Sequence, residues 1–219
     1  MRILHLADLH AEHEWFNWVA SQAPLFDLII IAGDFLNLLD GLHFTGTYFK
    51  DPDLAGQAKR CGEWLRSVKT TTVICSGNHD FALEDGDWLR DLSGKGNIAA
   101  VDGDVVDFGG LRIAVHGWGQ PYVSGRADIL VTHRPPNQDT DLGDALRGCA
   151  PRMILAGSVH EPCQHCFRWP EQGALSHAPE TMVLVPGVGS RYEGPPNHWI
   201  IDTATRSAKH SGERILLVP

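Results

Sequence analysis

Short runs of apolar, largely β-branched residues recur along the chain, and each is closed by a small polar cluster. Ile3-Leu4 leads to Asp8-Leu-His10, Leu28–Ile31 to Gly33-Asp34, and Thr72–Ile74 to Gly77-Asn78-His79-Asp80. Ile129–Val131 leads to Thr132-His133, and Met153–Leu155 to Gly157-Ser158-Val159-His160. Apolar runs of this length, bounded by polar and glycine residues, read as buried strands. The pattern predicts five strands that present polar residues from their C-terminal ends.

Between those strands the first half of the chain reads as repeated βα units: strand 2–7, helix 11–22, strand 27–32, helix 53–69, strand 72–76 and a short helix near 85–92. Strands alternating with helices predict a parallel central sheet. Past residue 97 the pattern shortens to strands with tight turns at Val101-Asp-Gly-Asp104 and Phe108-Gly-Gly-Leu111, which predict hairpins forming a second sheet. A helix at 141–148 then leads to strand 152–156, with further β at 182–186, 197–202 and 213–218. The succession predicts an α/β fold, a two-sheet β-sandwich flanked by helices, in one domain spanning 1–219. Segments 38–52 and 163–181 are rich in His, aromatics, Gly and Pro, and read either as functional lids or as plain surface loops.

The 219 residues suffice for a sizeable core, and no apolar run approaches the ~18 residues of a membrane span. Five cysteines, an odd number, do not suggest a disulfide framework. A chain entering a strand directly from Met1, with cysteine in the apolar run at Cys75, is expected to be cytoplasmic and without a membrane partner. The net charge of −9 argues against a broad footprint on duplex nucleic acid. Single-stranded nucleic acid stays open as a partner, since Phe44, Tyr48 and Phe49 either stack on bases or close their own loop.

The clusters carry metal chemistry. Carboxylate oxygen and imidazole nitrogen together, as in Asp8 and His10, suit Mn, Fe or Zn better than Mg or Ca. Asp34 leaves its strand after Gly33, which lets the backbone approach closely, and its two oxygens can bridge two ions. A pair of ions ~3.5–4 Å apart lowers the pKa of a bound water and holds the attacking and leaving oxygens of an in-line displacement. Two divalent ions against two carboxylates leave a surplus of about two positive charges, which a phosphate ester neutralises.

In their order the clusters resemble the calcineurin-like metallophosphoesterase superfamily, whose pattern D-x-H, G-D, G-N-H-[DE], H and G-H-x-H is matched from residue 8 to residue 160. One position departs: Ser158 stands where the family has the first His of its last motif. The resemblance implies the sandwich fold and two divalent ions, Mn foremost with Fe or Zn as alternatives. It assigns Asp8, His10, Asp34 and His160 to one ion, and Asp34, Asn78, His133 and the residue at 158 to the other, with hydroxide held between the ions as nucleophile.

Further roles follow from position. His79 comes directly after a ligand, is expected to point elsewhere, and becomes a candidate to contact the phosphate or protonate the leaving group. Asp80 either orients His79 or serves as a cap or turn residue. His116, ending the strand Ile113-Ala-Val, either reaches the substrate or is a hydrogen-bonded structural histidine. Arg134 offers a planar fork for a phosphate oxygen, or is simply solvated. With Asn78, these make the substrate-binding set Asn78, His79, His116 and Arg134. A serine hydroxyl is a poor ligand beside imidazole, so Ser158 predicts a weakly held second ion. His5, inside its strand, reads as a core histidine; Trp15 and Trp18 read as helix-packing residues; Cys163-Gln-His-Cys166 has the spacing of half a zinc knuckle. The function that the resemblance implies is a metal-dependent phosphohydrolase, foremost a phosphodiesterase, whose expected partner is a small phosphate ester or nucleotide. The alternatives are a nuclease of the same superfamily and a catalytically weak nucleotide-binding regulator.

Overall fold

The computed structural model describes residues 1–37, 53–80, 88–119, 125–135, 151–160, 162–167, 181–189, 194–211 and 213–216, the backbone alone for 163–167 and 213–216. In chain order the elements are β1 (Arg2–Leu6), α1 (His13–Gln22), β2 (Leu28–Ala32), α2 (Leu54–Ser67), β3 (Thr71–Cys75), β4 (Ile98–Ala100), β5 (Val105–Phe108) and β6 (Leu111–His116). There follow β7 (Ile129–Thr132), β8 (Met153–Leu155), β9 (Cys163–Phe167), β10 (Thr181–Val185), β11 (Trp199–Asp202), β12 (Ser207–His210) and β13 (Glu213–Leu216).

These strands form two mixed sheets. The first runs β13-β12-β11-β1-β2-β3-β4 and the second β5-β6-β7-β8-β10-β9. β1 to β4 are parallel, as are β6, β7, β8 and β10, so the strands preceding the polar clusters share a direction within each sheet.

Apolar runs without polar alternation arise because both faces of these strands are covered. In β1 and β2, Leu4, Leu6, Ile29 and Ile31 pack with Phe16 and Val19 of α1 and Leu65 of α2. Their alternates Ile3, Leu28 and Ile30 meet Ile113, Val115, Val131, Leu155 and Leu184 of the other sheet. His5 falls on this inner face, fully buried, with Nε2 3.2 Å from the carbonyls of Ala156 and Leu184. Both partners only accept, so Nε2 carries the proton and ties β1 across the sandwich. Trp15 is buried and Trp18 half-buried against the same helix-side core, as their spacing suggested.

Several boundaries differ from expectation. α1 begins at His13 rather than residue 11 because His10 and Ala11 hold left-handed backbone, φ 45° and 58°. Only the β5–β6 pair, turning through Gly109-Gly110, is the anticipated hairpin of the second sheet; β6 to β8 are parallel instead. Cys163–Phe167, expected to be irregular, is an edge strand pairing antiparallel with β10, and β12 was not anticipated. The helix expected at 141–148, residues 85–87 of that expected near 85–92 and segment 38–52 lie outside the described residues, as do the side chains of Cys163 and Cys166, and the described part of the 85–92 stretch forms only a 3-10 turn at Arg90–Leu92. Among the described residues no helix is long and apolar enough to cross a membrane.

Candidate metal centre

The loops leaving β1 and β2 are laced together. The amides of Asp8, His10 and Ala11 donate to the carbonyls of Gly33, Asp34 and Phe35 at 3.0, 2.9 and 2.7 Å. This lacing forces unusual backbone: Asp8, Asp34 and Ser158 lie at φ 56°, 56° and 64°, beside the two left-handed residues before α1. Such conformations cost residues other than glycine about 1 kcal/mol or more apiece and gather where function requires them. Two glycines make room. A Cβ at Gly33 (φ 84°) would stand 2.5 Å from His133 Nδ1, and one at Gly77 would collide with the Asp34 carboxylate.

Asp34 is the hub. Its Oδ1 accepts the His79 amide at 2.9 Å, while Oδ2 lies 3.4 Å from His133 Nε2, 3.8 Å from His79 Nε2 and 4.0 Å from His10 Nε2. Three groups of donor atoms each converge within 4.8 Å: Asp8 with His10 and His160, His10 with Asp34 and His79, and Asp8 with Asp34 and His133. Asn78 Oδ1 stands 3.1 Å from His133 Nε2, so the amide also faces the cluster. Asp8, His10, Asp34 and His133 are buried, and His160 is at the surface.

Backbone carbonyls orient the imidazoles. His133 Nδ1 lies 2.8 Å from the Ala32 carbonyl and His10 Nδ1 3.3 Å from that of Leu36. A proton on each Nδ1 leaves Nε2 as the lone-pair nitrogen turned toward Asp34, the usual arrangement of ligating histidines. Burial disfavours charge on His133, but the Asp34 carboxylate outweighs it and raises the pKa to about 9. Burial likewise opposes ionisation of Asp34, yet His133, His10 and His79 hold its carboxyl at about 2. Asp8 is pushed up to about 7 by burial, with the Asp34 charge adding to it and that of His133 opposing. Two buried carboxylates, several imidazoles with lone pairs converging and an amide oxygen suit a divalent transition ion in chemistry and spacing.

Other sequence-derived candidates fall differently. His79 does not point away: its Nε2 joins the cluster, and its ring centre lies 4.6 Å from that of His10. The strand has already ended at Cys75, so side-chain alternation no longer applies there. Asp80 does not orient His79. Its carboxylate accepts the amides of Phe35, Leu36 and Gly77 at 2.9, 3.0 and 2.8 Å, fastening the β2 loop to the β3 loop. Ser158 gives its amide to Asp8 Oδ2 at 3.1 Å, so this residue aligns a carboxylate through its backbone. His116 is buried at the end of β6 and stands outside the three convergent groups. Arg134 lies with Cζ 3.7 Å above the Trp118 ring.

Sequence reasoning missed the support under the third cluster. The buried Asp102 accepts the Ser76 amide at 2.8 Å, and Ser76 Oγ accepts the Trp118 amide at 2.9 Å. A Cβ at Gly117 would collide with the Asp102 carboxylate. Asp102 sits in a tight turn, where an aspartate carries no signal of a distant partner.

A family model described as calcineurin-like phosphoesterase matches residues 1–162. No curated protein matches the sequence. Among solved structures, TT1561 of Thermus thermophilus is similar at TM-score 0.63 and 13% identity, over 96% of this chain and 98% of that one. A metallophosphoesterase from Sphaerobacter thermophilus gives 0.50 and 18%, over 98% and 88% of the two chains. Yfce, a phosphoesterase from E. coli, gives 0.50 and 12% over 100% of both. At these identities the likeness is one of fold.

Proposed function

Because the chain belongs to the calcineurin-like phosphoesterase family, we propose that it is a phosphodiesterase with a binuclear metal centre, acting on a nucleotide-containing or small organic ester. The observation that carries this reading is the convergence of three carboxylate–imidazole groups around Asp8 and Asp34. In this reading Asp8, His10, Asp34 and His160 hold one divalent ion, and Asp34, Asn78 and His133 hold a second, with Mn the preferred metal. When bound, such a pair lowers the pKa of a water and holds the attacking and leaving oxygens of an in-line displacement.

The chain's own groups do the rest. Ala32 and Leu36 fix the imidazole tautomers, so His133 and His10 offer Nε2 without rearrangement. Neutral Asn78, where an aspartate would cancel charge, preserves the positive surplus that draws a phosphate ester. His79, its side chain 24% exposed, remains reachable from solvent and serves as the group that contacts the phosphate or protonates the departing oxygen. Ser158 supplies no imidazole, so the second ion is the weaker one and activity demands a high Mn concentration.

Hydrolysis of bis(p-nitrophenyl) phosphate, titrated with Mn and run beside Asp34→Asn, tests the reading. Turnover that climbs with Mn and vanishes in the variant supports it. Equal turnover by both proteins, or none by either at any Mn concentration, contradicts it. Ser158 favours one further reading, a weakly catalytic regulator that holds a nucleotide; tight AMP or GMP binding without turnover would mark that case.

A further inference from the structure

We propose that Asp102 is a positioning residue for the second metal ion, acting through Ser76 to hold Asn78 and the indole beside His133 in place. The proposal rests on the binuclear reading above, in which Asn78 and His133 carry that ion with Asp34. Asp102 follows β4, whereas its partners lie on the loops that leave β3 and β6. Its Oδ1 accepts the Ser76 amide at 2.8 Å, its carboxylate also bonds the Ser76 hydroxyl, and Ser76 Oγ accepts the Trp118 amide at 2.9 Å. Because the Trp118 amide donates to that oxygen, the hydroxyl gives its own proton to Asp102, and the chain runs in one direction from Trp118 to the carboxylate.

Both ends of this chain reach the same half of the cluster. Ser76 stands two residues before Asn78, whose Oδ1 lies 3.1 Å from His133 Nε2. Trp118 sets its ring edge-on to the His133 ring, with centroids 6.0 Å apart and planes at 68°. The side chains for the first ion are set from elsewhere: the Ser158 amide aligns Asp8 and the Leu36 carbonyl orients His10. Asp102 is buried, which raises its pKa, and the Ser76 hydroxyl and amide draw it back. A buried carboxylate is a poor filler for a strand end, since an apolar side chain takes such space without the desolvation. What it adds is a grip on the loop that carries Asn78, and Gly117, with no Cβ to collide with it, leaves it room. With the Gly77 amide held by buried Asp80 at 2.8 Å, two carboxylates fix successive amides just before the chain reaches Asn78.

The test is equilibrium Mn titration, read by EPR, of the metal-free wild type, Asp102→Ala and Asp102→Asn, with thermal melting of each metal-free protein to report on the fold. Asp102→Ala should weaken the second ion by on the order of tenfold or more and leave the affinity for the first unchanged. Asp102→Asn keeps an oxygen for the Ser76 amide and should recover part of that loss. If Asp102→Ala does not fold, Asp102→Asn decides alone, and it should weaken the second ion only. Loss of both affinities together, or a lower melting temperature with both affinities intact, makes Asp102 a merely structural residue and overturns the proposal. One Mn per chain in the wild type overturns the binuclear reading and this proposal with it, whereas two in the wild type, with the second unchanged in the variants, overturns this proposal alone.

Discussion

Protonating His5 should loosen the sandwich beneath the metal cluster. Its Nε2 donates between the carbonyls of Ala156 and Leu184 at 3.2 Å, and Ala156 is the last residue before Gly157-Ser158. A second proton would have to go onto Nδ1, which is buried and has no hydrogen-bond partner among the described residues. Burial therefore dominates and lowers the His5 pKa from 6.5 to about 4, against the smaller opposing effect of the carbonyls. An unfolded chain takes up this proton near 6.5 and the folded one only near 4, so between those values the unfolded state binds more protons. Stability from this group is complete above pH 6.5, declines as pH falls, and is gone below about 4. The 2.5-unit difference corresponds to about 3 kcal/mol.

Urea unfolding of the metal-free protein from pH 7 to pH 4, for the wild type and His5→Leu, reads this directly. The variant loses the cross-sheet donor and is less stable at pH 7 by ~1–3 kcal/mol. The gap should then shrink as pH falls, because the wild type alone loses the His5 contribution. Asp8, Asp80 and Asp102, whose pKa values are raised chiefly by burial, act with the opposite sign but equally in both proteins, so they cancel in the difference. Parallel curves for the two proteins across this range would refute the assignment of His5 as a neutral core bolt.

At the metal cluster, Ser158→His should tighten the weaker of two Mn affinities by on the order of tenfold, ~1.4 kcal/mol, in an equilibrium titration; an unchanged second affinity would remove Ser158 as its cause. His133, held protonated below about 9 by Asp34, must shed a proton to bind an ion, so apparent Mn affinity should rise with pH from 6 toward 9, near tenfold per unit for each proton released; calorimetry in buffers of different ionisation enthalpy should detect that proton. Gly77→Ala places a methyl against the Asp34 carboxylate, and Mn uptake should fall with a stability loss of roughly 1–3 kcal/mol in denaturant melts. Asp80→Ala orphans the amides of Phe35, Leu36 and Gly77 and should cost roughly 3 kcal/mol or more by the same measurement, with Asp80→Asn, which keeps one acceptor oxygen, less affected.

The clustering of these side chains was legible because an apolar run that stops abruptly at a polar group marks a strand end, and five such ends were in order. Asp8, His10, Asp34, Asn78, His133 and His160 stand together as their motifs suggest. Long-range bonds were not legible. Asp80 looks like a neighbour of His79, yet its partners Phe35 and Leu36 lie 45 and 44 residues away. Asp102 and Ser76, 26 apart, gave no sign of each other. Strands β9 and β12, Cys-Gln-His-Cys-Phe and Ser-Ala-Lys-His, lack the apolar runs of the core strands and are ordered by backbone pairing with β10 and β11.

Titrating the metal-free protein with Mn while recording EPR tests most directly whether Asp34 joins two ions. Two ions per chain at saturation, taken up with unequal affinity and giving an exchange-coupled signal that Asp34→Asn abolishes, is the predicted result. Saturation at one ion per chain, or two ions without magnetic coupling, would contradict a binuclear centre bridged by this carboxylate.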